Sequence, residues 1–280
     1  MAQARIAAEA LASAIGPAEL IPISTRGDAI SAEQPQAGWV EADGQFTREL
    51  ERALLDGRVD LAVHSYKDLP IAPVEGLVIG AVLERGDARD CLISADGGTL
   101  DDLPFGARVG TSSPRRAAQL AAARSDLIAT PIRGNVETRL TRLNAGELDA
   151  LILAAAGLDR LGIEVPDHAR LPFDLMLPAP AQGALALQAR LNDSDLRATL
   201  ARVDHASTRA AVEAERRLLR RIGGGCLAPL GALAEVDGST LRLRAAYEDR
   251  TGTYRRAESF GPVDDSNLVV SKVAARIRDQ

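Results

Sequence analysis

The sequence predicts an α/β fold of two lobes facing each other across a cleft, joined through a hinge and followed by a small α+β domain. Three observations carry this. Short apolar runs that read as buried strands alternate with helical segments between residues 59 and 190. Polar clusters break out just past the ends of several of those runs. Beyond residue 226 the pattern changes to three alternating strands with tight turns and a closing helix. The first pattern is that of βαβ units and the last that of an antiparallel meander.

At 280 residues the chain exceeds what one core usually serves, so more than one domain is expected. The boundaries read as residues 1–84 with 184–203 for domain 1, 89–177 for domain 2 and 206–280 for the C-terminal domain. A net charge of -6 argues against nucleic acid or an anionic membrane as partner, because either would call for a basic field. Any small anion must therefore be held by local clusters. Of the 33 basic residues only Lys67 and Lys272 are lysine, which makes a lysine inside a motif informative. Two cysteines, Cys91 and Cys226, make no disulfide framework and point to a reducing compartment, the cytoplasm. Three scattered histidines, His64, His168 and His205, lack metal-ligand spacing, so no metal is expected.

The first residues read as an amphipathic helix closed by Gly16-Pro17; Arg5 and Glu9 interrupt the apolar core that a signal peptide needs. Glu19–Ser24 reads as a short strand, Thr25–Asp28 as the loop leaving it and residues 29–46 as a mobile polar loop. Phe46–Leu55 is helical and Gly57 ends it. Val59–Pro70 is a buried-strand run that breaks into His64, Ser65, Lys67 and Asp68, the place where open α/β sheets bind ligands. Val78–Leu83 is a strand, and the charged segment ERGDARD after it reads as the first crossing between lobes.

Val109–Ala123 repeats the arrangement of strand followed by site. Ser113 suits an N-cap, Pro114 the first helical position, and Arg115 and Arg116 fall in the first turn. Cations there oppose the helix dipole unless an anion shares the same N-terminus, so the conflict points to an anion site. Arg133 and Arg139 follow the run Leu127–Pro131, and Arg160 lies just past the strand Ala150–Ala156. Four strand ends thus converge on Lys67, Asp68, Arg115, Arg116, Arg133, Arg139 and Arg160. The proline-rich segment Pro172–Gly183 returns the chain to the first lobe, where Ala184–Ala189 is a strand. A helix capped by Ser207 and ended by Gly223 then leaves Cys226 on a short glycine-rich loop. The thiol reads as an attachment point or as a small buried residue in a turn. Ala228–Val236, Thr240–Tyr247 and Thr253–Phe260 are strands, and Asn267–Arg278 is the final helix.

Seven segments in order, VHSYKDLP (63–70), RGDARD (85–90), VGTSSPRR (109–116), RGNVETRL (133–140), DALILAAAGLDRLG (149–162), PAPAQGAL (178–185) and GGGCLAPLGA (223–232), resemble the porphobilinogen deaminase (hydroxymethylbilane synthase) family. The resemblance implies two lobes of periplasmic-binding-protein type and a C-terminal domain bearing a cofactor cysteine. It implies a transferase that joins four porphobilinogen molecules head to tail, releases ammonia at each step and yields hydroxymethylbilane for tetrapyrrole biosynthesis. The implied cofactor is a dipyrromethane held by a thioether on Cys226. Lys67, Ser113, Arg115, Arg116 and Arg139 would hold its carboxylates, Arg133 and Arg160 would face substrate, and Gln182 would line the hinge beside the cofactor. Asp68 would be catalytic, kept ionised by the neighbouring arginines. The family also implies a cytoplasmic monomer.

Two departures stand out. The family opens with a strand and an anion-binding loop resembling IRIGTRGSPLAL, whereas Met1 here falls inside the helix that follows, so such a strand is expected upstream of Met1. In the loop Ala37–Phe46, Asp43 stands where the family has lysine, and Arg48 could take that role. Two other readings stay open on sequence alone: a non-enzymatic, two-lobed carboxylate-binding protein and an inactive, truncated paralogue of the enzyme.

Overall fold

Three sheets organise the described residues. The computed structural model describes residues 2–23, 47–223 and 225–278; the side chains of residues 13–15 and of Cys226 lie outside that description. The first sheet has the order β1-β7-β2, from β1 (Leu61–Ser65), β2 (Leu77–Val82) and β7 (Leu185–Arg190). β7 is antiparallel to both neighbours, so the strand returning from the second lobe forms the middle of the first lobe's sheet. Helix α1 (Ala2–Ile15) packs Ala7 and Leu11 with Leu185 and Leu187 on one face. Helix α2 (Arg48–Leu55) sets Leu54 against Ala62 and Leu77 on the other. Alternate residues of β1 thereby enter different cores, as the period of a strand requires.

The second sheet runs β3-β6-β4-β5, from β3 (Asp90–Ser94), β4 (Arg108–Gly110), β5 (Ile128–Thr130) and β6 (Ala150–Ala154). β4 is parallel to β5 and β6, and β3 is antiparallel to β6. The continuous apolar run of β6 is explained by burial on both faces: Ala150 and Ile152 enter one core, Leu151 and Leu153 the other. Helices α3 (Pro114–Ala123), α4 (Val136–Asn144) and α5 (Ala155–Arg160) leave the ends of β4, β5 and β6. The third sheet is a meander of β8 (Leu230–Asp237), β9 (Thr240–Glu248) and β10 (Tyr254–Pro262). After helix α6 (Ser194–Leu200), the long α7 (Ala206–Ile222) leads into it, and α7 and α8 (Ser266–Arg278) cover one of its faces. Leu233 and Ala246 on its other face meet Ala88 and Leu177 of the segments between the lobes.

Those two segments touch backbone to backbone. Gly86 N donates to Gly183 O at 3.2 Å, and Gly183 has a φ of 89°. A Cβ at Gly183 would stand 2.6 Å from Gly86 O, so a side chain there would drive the segments apart.

Three local expectations need correction. Residues 19–23 form no strand: Pro22 lacks an N–H, Glu19 and Ile21 are exposed, and no ladder reaches them among the described residues. Ser24, Thr25–Asp28 and the loop 29–46 lie outside the described residues. Helix α7 is capped by His205, whose Nδ1 accepts from Thr208 N at 3.2 Å, and not by Ser207. Ala155 and Ala156 belong to α5, since β6 stops at Ala154. Helix α6 has no counterpart in the sequence reading, although Asp193 caps it by accepting from Leu196 N at 3.1 Å.

Candidate active site

Asp68 ends the short 3-10 turn Tyr66–Asp68 that follows β1, at the face of the first lobe turned to the second. It lines two cavities. One, of about 180 Å³, is bounded by Lys67, Ser113, Arg115, Arg116, Gln182 and Gly225. The other, of about 950 Å³, is bounded by Ser65, Val136, Gly157 and Arg160 among others. The surrounding protein raises the Asp68 pKa, while Lys67 and Arg160 pull it back down. The side chain opens to solvent within the cleft, which holds that rise in check. Beside the expected arginine, Arg160, which favours the ionised form, Lys67 acts in the same sense, and the enclosing protein acts against both.

The arginine pair at the start of α3 has an internal partner that the sequence reading did not single out. Asp90, at the start of β3 and 0% exposed, accepts from Arg115 Nη1 at 2.6 Å and from Arg116 Nη2 at 2.6 Å. Burial pushes the Asp90 carboxyl up, but Arg115 and Arg116 more than offset this and hold it well below the usual carboxylate range. Ser113 Oγ caps the helix by accepting from Arg116 N at 3.4 Å. The dipole conflict at this N-terminus is therefore met in part by a carboxylate from the protein. One negative charge faces two guanidinium groups, and Arg115 Nε is buried without a hydrogen-bond partner among the described residues. The signal for Asp90 was an acidic residue opening the strand DCLIS directly before the apolar run CLI.

Arg139 on α4 donates from Nε to Gly134 O at 2.9 Å. Burial, then repulsion from Arg116 and Arg133, brings its pKa down to about 10. Lys67 is brought to about 8, first by burial and further by Arg116 and Arg115, against the pull of Asp68 and Asp90. Such a group of crowded cations suits ligands with several carboxylates, for which guanidinium forks provide paired donors. Arg160, at the end of α5, donates from Nη2 to Gly183 O at 2.6 Å and faces Asp68, so it joins the cleft to the crossing segment. Gln182 is buried, with its amide engaged: Oε1 accepts from Lys67 Nζ at 3.2 Å, and Nε2 donates to Ala88 O at 2.8 Å and Asp90 Oδ1 at 3.0 Å. It ties the lysine of one lobe to the acid of the other.

The structure thus brings Lys67, Asp68, Ser113, Arg115, Arg116 and Gln182 around one cavity, with Arg160 on the other side of Asp68, Arg139 near Arg116 and Arg133 near Arg139. The backbone of Cys226 lies in the 3-10 turn Gly225–Leu227, and Gly225 lines the smaller cavity. The thiol of Cys226, Asp43 and the loop Ala37–Phe46 lie outside the described residues. Cys91 is 0% exposed on β3, and burial pushes its thiol up to about 11. His64, on β1 beside the site, is buried with Nε2 2.9 Å from Gln188 Oε1, and burial lowers its pKa to about 4.

Residues 1–198 match the family model described as porphobilinogen deaminase, dipyromethane cofactor binding domain, and residues 209–279 match the porphobilinogen deaminase C-terminal domain. A porphobilinogen deaminase of Thermobifida fusca is 52% identical over 257 residues, 90% of this chain and 78% of the relative. One from Desulforudis audaxviator is 50% identical over 235 residues, 84% and 76% of the two chains. Porphobilinogen deaminase 1 of Streptomyces coelicolor is 47% identical over 280 residues, 95% and 86% of the two.

Proposed function

Since the chain belongs to the porphobilinogen deaminase family, whose members condense four porphobilinogen head to tail into hydroxymethylbilane with release of ammonia, we propose that Asp68 steers the charge in each coupling and that the cations around it hold the carboxylates of cofactor and substrate. The chain is accordingly a transferase of tetrapyrrole biosynthesis. The observation that carries the residue assignment is the place of Asp68 between the two cavities, with Lys67 on one side and Arg160 on the other.

The dipyrromethane cofactor supplies, when bound, the pyrrole carbon on which condensation starts. Its several carboxylates fit the mutually repelling cations Lys67, Arg115, Arg116 and Arg139, with the capped start of α3 at Ser113 and the hinge residue Gln182 beside them. Cys226 is its point of attachment. The resemblance around GGGC supports this, and Cys91 is unsuited because it is enclosed and its thiol resists the ionisation a nucleophile needs. Arg133 and Arg160 receive the acetate and propionate groups of incoming porphobilinogen.

Asp68 can hold a proton near the departing amine of porphobilinogen, and its carboxylate then faces the cation left by loss of ammonia. At an effective dielectric near 20, opposite charges about 4 Å apart attract by roughly 4 kcal/mol, a useful part of a barrier. Its competing influences, burial upward and Lys67 and Arg160 downward, suit a group that must both hold and release a proton.

We assign domain 1 to residues 1–84 and 184–203, domain 2 to 89–177 and the cofactor-cysteine domain to 206–280. We also read the protein as a cytoplasmic monomer with no nucleic-acid or membrane partner, which the net charge of -6 supports. Among the described residues no helix is long and apolar enough to cross a membrane. The deciding experiment is an intact-mass measurement. Purified protein should carry a two-pyrrole adduct that Cys226→Ala lacks; an adduct persisting in that variant would overturn the attachment site.

A further inference from the structure

Helix α7 reaches back from the third domain and grips the turn that carries Asp68. The Arg216 guanidinium donates from Nη1 to Tyr66 O at 3.1 Å and to Leu69 O at 2.9 Å, and from Nη2 to Pro70 O at 2.7 Å. Its Cζ lies 4.6 Å from the centroid of the Tyr66 ring, which is itself buried with Leu69, Val82 and Val212. The three carbonyls flank Asp68 on both sides. Within the turn the closing bond, from Leu69 N to Tyr66 O, is long at 3.4 Å, so the turn is weakly held by its own backbone. One helical turn further along α7, Arg220 Nη2 donates to Ile71 O at 3.2 Å, extending the grip to the next residue. The same helix ends at Ile222 and passes through Gly223 into the turn that contains Cys226.

We propose that Arg216 is a positioning residue for the reaction: by clamping the carbonyls on either side of Asp68 it fixes that carboxylate relative to the turn bearing Cys226. The inference rests on the assignment of Asp68 made above. A point-charge ammonium cannot span three carbonyls and cover a ring as a planar guanidinium does, so the role belongs to arginine in particular. A misplacement of about 1 Å at a reacting group costs on the order of a hundredfold in rate, so losing the clamp is felt in turnover more than in binding.

The test uses the full-length, cofactor-bearing enzyme, whose loading is verified by intact mass. Arg216→Gln should lower kcat ten- to hundredfold with KM for porphobilinogen within about twofold and the adduct retained. Arg216→Lys should fall between this variant and the unaltered enzyme. In the double variant Asp68→Asn with Arg216→Gln, kcat should equal that of Asp68→Asn alone, because one residue acts through the other. Losses that multiply, or an unchanged kcat in Arg216→Gln, would overturn the proposal while leaving Asp68 catalytic. If Arg216→Gln does not fold, Arg216→Lys decides, and full activity there is the overturning result. Near-normal turnover of Asp68→Asn by itself would remove the assignment beneath the proposal and the proposal with it.

Discussion

Arg85 and Glu215 form a two-pronged ion pair, at 2.7 Å and 3.1 Å, where the three parts of the molecule meet. Arg85 belongs to the first crossing segment. Glu215 also accepts from Ala181 N of the second crossing at 2.6 Å and from Ala234 N of β8 at 2.7 Å. Ala181 is a non-glycine residue at a φ of 64°, a conformation that costs about 1–2 kcal/mol and is held here by that bond. The Glu215 side chain is 0% exposed, so its charge has no water to fall back on. Arg85→Leu should therefore destabilise the protein by about 3–5 kcal/mol in chemical denaturation, because it strands a buried carboxylate.

Turnover should depend on the charge of Asp68. Asp68→Asn is expected to keep the fold and the adduct seen by intact mass, while kcat falls by at least about a hundredfold. A stopped assay for released ammonia measures this directly.

Lys67 gives a second, pH-dependent signature. Its pKa of about 8 in the cofactor-free protein means that it is half neutral near that pH. Binding a carboxylate favours the charged form, so above pH 8 binding must draw a proton from solvent and weakens as pH rises. Loading of cofactor-free protein from porphobilinogen, followed by intact mass, should slow above pH 8. In Lys67→Arg, whose charge persists, the slowing should vanish.

His64 should make the fold sensitive to acid. Its pKa of about 4 lies below the ordinary 6.5, so the unfolded chain binds a proton that the folded chain refuses. Its contribution is complete above pH 6.5 and is lost as pH falls toward 4, a swing on the order of 3 kcal/mol. In urea denaturation across that window, His64→Gln should show a shallower slope with pH than the unaltered protein.

Much of the site was legible because its residues follow strand ends, where the sequence changes abruptly from apolar to polar. Lys67 and Asp68 follow β1, Arg115 and Arg116 follow β4, and Arg160 follows β6 through α5. What periodicity could not give was partnership over long separations. Nothing local says that β7 enters between β1 and β2, or that Asp90 pairs with arginines 25 and 26 residues away. Nor does it say that Arg216 reaches carbonyls about 150 residues earlier. The run ELIPI looked like a strand because it is short and mostly apolar, but a strand needs a neighbour to pair with, and Pro22 has no N–H to offer one. His205 capping α7 shows the same limit at short range: the expected hydroxyl of Ser207 lay two residues too late, and an imidazole nitrogen served instead.

The contact between Gly86 and Gly183 limits how the lobes can move. Two peptide planes in direct contact, bonded at 3.2 Å, leave no space for a side chain between the crossing segments, so sliding one segment past the other would break that bond. Arg160, bonded to Gly183 and facing Asp68, ties the cleft to this same contact.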